Sequence, residues 1–180
     1  MHRRKVLTLA VSAGVASTLL PATTRSADDE QPRFRIIDTN VSLFRWPLRR
    51  LPLDDPDALV QKLRVPGIAQ AWAGSFEGIL HRDIAGVNQR LADACRSRAE
   101  LIPVGSINPE LPDWEDDLRR CTDEHHMPGI RLHPNYHGYP LDDPRFHRLV
   151  ELAPAAGRFI QIAAAMEDAR TASVGAGSGR

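Results

Sequence analysis

The sequence predicts an α/β fold of the (β/α)8, TIM-barrel-like type, represented by its first five βα units. Three observations predict the βα units. Five apolar, mostly β-branched segments start near residues 35, 68, 101, 129 and 159, a spacing of roughly 30 residues that suits one βαβ unit. Apolar stripes of helical period lie between them. Polar residues gather at the C-terminal ends of the strands, where parallel α/β sheets bind their ligands. An open doubly wound parallel sheet is the alternative. Five units complete a small open sheet, whereas a closed barrel needs eight units and about 250 residues.

The elements follow in order. Residues 35–43 form the first strand. Asp55-Pro56 reads as N-cap and first residue of a helix with Leu59, Val60 and Leu63 on one face, ended by Gly67. The second strand runs from Ile68 to Gly74. A helix from about Asp83 to Arg98 follows, with Ile84, Val87, Leu91 and Cys95 in one stripe. The third strand is Leu101 to Ile107, and the helix from Asp113 carries Trp114, Leu118 and Cys121. The fourth strand is Gly129 to His133, and the helix from Asp143-Pro144 carries Phe146, Leu149, Val150 and Ala153. The fifth strand is Phe159 to Ala164.

Composition bounds the function. The 180 residues carry 23 basic and 23 acidic side chains, so the net charge is zero. That excludes the basic excess of a nucleic-acid binder. All but two of the basic residues are arginine, the exceptions being Lys5 and Lys62. Cys95 and Cys121 fall on buried stripes and read as core thiols, too few for a disulfide scaffold. Residues 1–27 read as a signal peptide and leader: His2-Arg3-Arg4-Lys5, an apolar stretch from Val6 to Leu20, then small residues around Pro21-Ala22. The Arg3-Arg4 pair resembles a twin-arginine signal. The expectation is export to the periplasm or beyond, with no membrane contact once the signal is removed. Residues 34–168 form the partial barrel, and 169–180 are a low-complexity tail without a helix to cover the fifth strand. That ending reads as a truncation or a shifted frame.

The strand ends give the candidate site. They supply Asp38, Asn40 and Ser42; then Glu77, His81 and Arg82; then Ser106 and Asn108; then Arg131, His133, Asn135, Tyr136 and His137; and last Glu167 and Asp168. The segment Gly129–Gly138 is the most specific. Arg131 suits a bidentate clamp on a substrate carboxylate, or an ion pair with Asp38 or Glu77. His133 suits a general base or a metal ligand, or a histidine bonded to backbone. Asn40, Asn135 and Glu77 complete the substrate-binding set, with Asp38 and His133 as the catalytic pair. His125-His126 at a helix end and the acidic run Glu115-Asp116-Asp117 read as dipole-favoured and solvated. No serine lies in a nucleophile elbow.

Ile36-Ile-Asp-Thr-Asn-Val-Ser-Leu-Phe44, Pro103-Val-Gly-Ser-Ile-Asn-Pro109 and Gly129-Ile-Arg-Leu-His-Pro134 resemble the first, third and fourth strands of the amidohydrolase-related (amidohydrolase 2 type) metal-dependent hydrolases. The resemblance covers about residues 34–168. It implies a distorted (β/α)8 barrel and one divalent metal such as zinc. The family's first strand reads Asp-x-His-x-His, and its metal pair falls here on Asn40 and Ser42, neither a good zinc ligand. The histidine common in the fifth strand is missing from Phe159 to Met166. No metal ligand carries over, so the cofactor stays unknown. The resemblance includes lactonases that work without metal, in which arginines and histidines hold carboxylates and polarise a carbonyl.

The expected function is hydrolysis of a small carbonyl compound, a lactone or amide bearing a carboxylate. The alternatives are a truncated or inactive family member and a small carboxylate-binding protein. The expected partner is a small molecule, and a homo-oligomer is allowed.

Overall fold

The structure, a computed structural model, describes residues 35–46 and 50–163. They belong to one compact unit that begins at Arg35. The leader, the tail, Glu167 and Asp168 lie outside the described residues. Five strands alternate with helices: β1 Ile36–Leu43, α1 Pro56–Arg64, β2 Ile68–Ser75, α2 Ile84–Arg96, β3 Leu101–Ser106, α3 Trp114–Asp123, β4 Gly129–Leu132, α4 Pro134–His137, α5 Pro144–Ala155 and β5 Phe159–Ile162. A 3-10 turn, Phe76–Ile79, follows β2.

Capping explains where the helices start. Asp55 accepts from the amides of Asp57 and Ala58 at 3.1 and 2.9 Å, with Pro56 at the first helical position. Asp83 accepts from Gly86 N at 2.9 Å, and Asp143 from Arg145 N at 2.7 Å. The stripes of α2 and α3 are buried as expected. In α5, Phe146, Leu149 and Ala153 are buried, but Val150 is 40% exposed. Val150 adjoins the apolar face and does not point into it. Asp117 corrects the reading of a solvated acidic turn: it is buried, and burial pushes its carboxyl up from the ordinary range.

All neighbouring strands are parallel, in the order β1-β2-β3-β4-β5. Each strand adds to the same side of the last. A doubly wound sheet reverses its winding at a switch point, so that alternative is overturned. With a constant winding sense, the right-handed crossovers put every helix on one face. The core agrees: Leu59 and Leu63, Leu91 and Cys95, Leu118 and Cys121, and Phe146 and Leu149 share one cluster with Ala71, Ala73, Ile130 and Leu132.

The opposite face is concave. Five flat strands would hold β1 and β5 roughly 19 Å apart, four spacings of about 4.8 Å. Here the Gln161 side chain of β5 donates to Thr39 O of β1 at 2.9 Å. Only strong curling brings the two strands that close, and it makes the sheet a half-barrel. Its inner face carries a stacked pair, Trp72 on Phe159, with ring centroids 4.4 Å apart. Gly129 leaves room for the Phe159 ring, which a β-carbon there would strike.

Candidate functional site

Arg131 dominates the inner face. It is 3% exposed, and its guanidinium spans the half-barrel. Nε donates to Gln161 Oε1 at 2.8 Å. Nη1 donates to Val41 O at 2.9 Å and Ser42 Oγ at 3.1 Å. Nη2 reaches Trp72 O at 3.3 Å and Thr39 O at 3.4 Å. All five N–H positions of the fork therefore face protein oxygens. The expected partners Asp38 and Glu77 are not among them. Asp38 acts only through its charge, and burial lowers the guanidinium to about 10. As placed, Arg131 holds β1, β2 and β5 to β4, and no donor is left over for a substrate.

The register explains the geometry on β1. Asp38 pairs with Ala71 and Val41 with Ala73, so Thr39 and Asn40 together oppose Trp72. This bulge aims Thr39 O at Arg131 and Gln161. Asp38 Oδ1 accepts from Asn40 N at 3.0 Å, inside the bulge. Asp38 is half-buried and Asn40 exposed. Glu77 is drawn away by Arg90, at 2.8 Å. Asn135 is exposed on α4.

His133 ends β4. It is 3% exposed, and its Nδ1 has no hydrogen-bond partner. Burial, aided by His137 and Arg131, lowers it to about 3, so the ring is neutral. His137 lies edge-on to it, with centroids 5.8 Å apart. The contact from His137 Nε2 to Gly78 O, 2.9 Å, fixes the tautomer. A carbonyl only accepts, so Nε2 carries the hydrogen and Nδ1 the lone pair. That Nδ1 is also buried and unpartnered, as are Tyr136 OH, Tyr139 OH and Ser106 Oγ. Burial holds His137 below the ordinary imidazole range.

These groups stand at the C-terminal ends of β3 and β4. Beside them opens a cleft of ≈ 360 Å³ lined by His81, Arg82, Asn108, Glu110, Tyr136 and His137, among others. Glu110 is neutralised by Arg145, with Nη1 at 3.2 Å from Oε2. Arg82 is exposed and has no hydrogen bond or ion pair among the described residues. It is the cleft's uncommitted cation.

Sequence reasoning missed two supports. Asn88 pairs with the end of β3 as a strand would, giving Nδ2 to Ser106 O at 2.9 Å and taking Ser106 N at 2.8 Å. Gln161 links Arg131 to Thr39. Each is a polar residue in an otherwise apolar stripe or strand, and that was the available signal.

The family model described as Amidohydrolase matches residues 38–177. The chain belongs to the amidohydrolase family. Solved structures share its fold. The 5-carboxyvanillate decarboxylase of Novosphingobium aromaticivorans, with bound manganese, matches at TM-score 0.62 and 16% identity, over 72% of this chain and 51% of that one. A Metarhizium anisopliae protein described as IDCase matches at 0.60 and 13%, over 71% and 50%. A structure described as amidohydrolase II matches at 0.57 and 14%, over 71% and 49%. The chain spans about half the length of these structures. A comparison with curated proteins finds no match.

The divalent metal implied by the resemblance does not fit the described residues. No group of three or more His, Cys, Asp or Glu stands ready for an ion among the described residues. Ser42 Oγ is taken by Arg131. A divalent ion about 4 Å from a guanidinium meets repulsion of about 8 kcal/mol at an effective dielectric of about 20.

Proposed function

We propose that this amidohydrolase-family chain takes a small carboxylate-bearing carbonyl compound, a lactone or amide, and hydrolyses it. The observation that carries the reading is the cleft shared by Arg82, Asn108, Tyr136 and His137, in which Arg82 is an exposed cation with no hydrogen bond or ion pair among the described residues. Arg82 would anchor the carboxylate. His137 would act as base through Nδ1, where its tautomer leaves the lone pair; that atom is buried in this structure and would have to open to the cleft to take a proton from water as the water oxygen bonds to the carbonyl carbon. That proton would pass to the leaving oxygen or nitrogen as the carbonyl–heteroatom bond breaks. Tyr136 and Asn108 would position the carbonyl. Asp38, Asn40 and Arg131 would support the floor, and His133 would keep the site neutral beside Arg131. Residues 1–27 would direct export.

The test is pH-stat hydrolysis of a panel of carboxylated aryl lactones and anilides. The Novosphingobium neighbour is a decarboxylase by name, so carbon dioxide release is followed in parallel. The reading expects acid release that falls at least 100-fold in His137→Gln, a loss in the range of general-base catalysis. Carbon dioxide release without hydrolysis, or full activity in His137→Gln, contradicts it.

A further inference from the structure

Ser42, one of the two strand-one positions assigned by resemblance to a divalent metal, is in this chain a partner of a guanidinium, and the backbone beside Asn40 supplies others. Arg131 Nη1 bonds Ser42 Oγ and the neighbouring Val41 O, while Nη2 turns to Thr39 O within the bulge. The arrangement is built for that group. Gly74 leaves the space it fills, since a β-carbon there would lie 2.5 Å from Nη1 and 2.9 Å from Cζ. Gln161 accepts from Nε and donates to Thr39 O, so the same side chain fixes both the cation and the bulge. Asp38 adds a negative charge without a hydrogen bond to the fork.

We propose that the Arg131 guanidinium is the resident cation of the inner face, in place of a divalent metal. Thr39, Ser42, Gly74 and Gln161 form its seat. An organic cation differs from a metal in what it can do there. Its donors are all spent on protein oxygens, so it offers no open coordination position to water or substrate. It supplies a fixed positive field and ties β4 to β1, β2 and β5. It also repels a second cation from the same space.

The test uses the chain as it is. MnCl2 is titrated into the 15N-labelled protein and paramagnetic broadening is mapped, with thermal unfolding recorded in EDTA and in manganese. The proposal expects no selective, saturable broadening of Ser42, Gly74 or Arg131 up to millimolar metal, and the same Tm in both. Broadening confined to surface histidines such as His125 and His126 agrees with it. Saturable broadening centred on Ser42, or a Tm raised by stoichiometric manganese, overturns it. A second comparison asks whether the guanidinium is what excludes the ion. N40H/S42H should bind manganese at least tenfold more weakly than N40H/S42H/R131Q. Equal affinities overturn the proposal, and if the triple variant does not fold the wild-type titration alone decides. Metal binding on β1 would leave the reading of the cleft untouched.

Discussion

A methyl group added at Gly74 would lie 2.5 Å from Arg131 Nη1, inside any tolerable contact. Gly74→Ala must move the guanidinium or the strand, and overpacking of this kind costs about 1–3 kcal/mol. Arg131→Lys loses the fork. A lysine has three donors on one atom and cannot serve β1, β2 and β5 together. We expect a loss of about 3 kcal/mol or more, because several buried acceptors go unserved, measured by urea unfolding. A midpoint unchanged in both variants would remove Arg131 from the account. His133 gives a pH prediction. Burial lowers it to about 3, against 6.5 in the unfolded chain. Between these values the unfolded state binds a proton that the folded state does not. Stability is therefore full above pH 6.5 and falls as the pH drops toward 3, by about 1.4 kcal/mol per pH unit for this group. His137 is lowered by burial too and adds to the slope. His133→Phe should flatten it, read from unfolding midpoints between pH 7 and 4.5.

At the scale of elements, the helix starts were legible because their cause is local. Asp55-Pro56 and Asp143-Pro144 carry cap and first residue side by side. The burial of α2 and α3 was legible because period 3.6 needs only a dozen residues. Short elements were not. Four-residue α4 shows no period, although Pro134 at its start and Gly138 after it, at φ +79°, are start and stop signals. The bulge at Thr39–Asn40 was hidden because no glycine or proline marks it and it shows only in the pairing with β2. The partners of Arg131 were out of reach, since Val41 lies 90 residues away and the contact exists only after the sheet curls. Asn88 is the element-scale counterpart of Arg131, tying α2 to the end of β3 and so placing Ser106. Asn88→Ala leaves the Ser106 amide and carbonyl without it, at about 1–3 kcal/mol for each group left unpaired. Amide hydrogen exchange at Ser106 should speed up in that variant, and an unchanged rate would mean the pair does not hold the strand end.

At the scale of the whole molecule, constant winding and the β1–β5 link make a half-barrel whose C-terminal rim carries the cleft. The five strand segments read from the sequence are the five strands of the structure, so the alternation of strand and helix was visible in the spacing alone. What the spacing left open, barrel or doubly wound, was decided by strand order. The sequence centred the candidate site on Arg131, and the structure directs that residue's donors to the protein's own framework. The uncommitted cation is Arg82, beside His137, Tyr136 and Asn108. If His137 is the base, kcat/KM should rise with pH through a pKa below 6.5 and then stay level, because only the neutral ring accepts the proton. Carboxylate binding in this cleft is read from a 15N NMR titration with phthalate, for wild type and Arg82→Met. Saturable shifts centred on Arg82, Asn108 and His137 are expected, with affinity at least tenfold weaker in the variant. Shifts centred elsewhere, or equal affinity in both proteins, would contradict binding in this cleft.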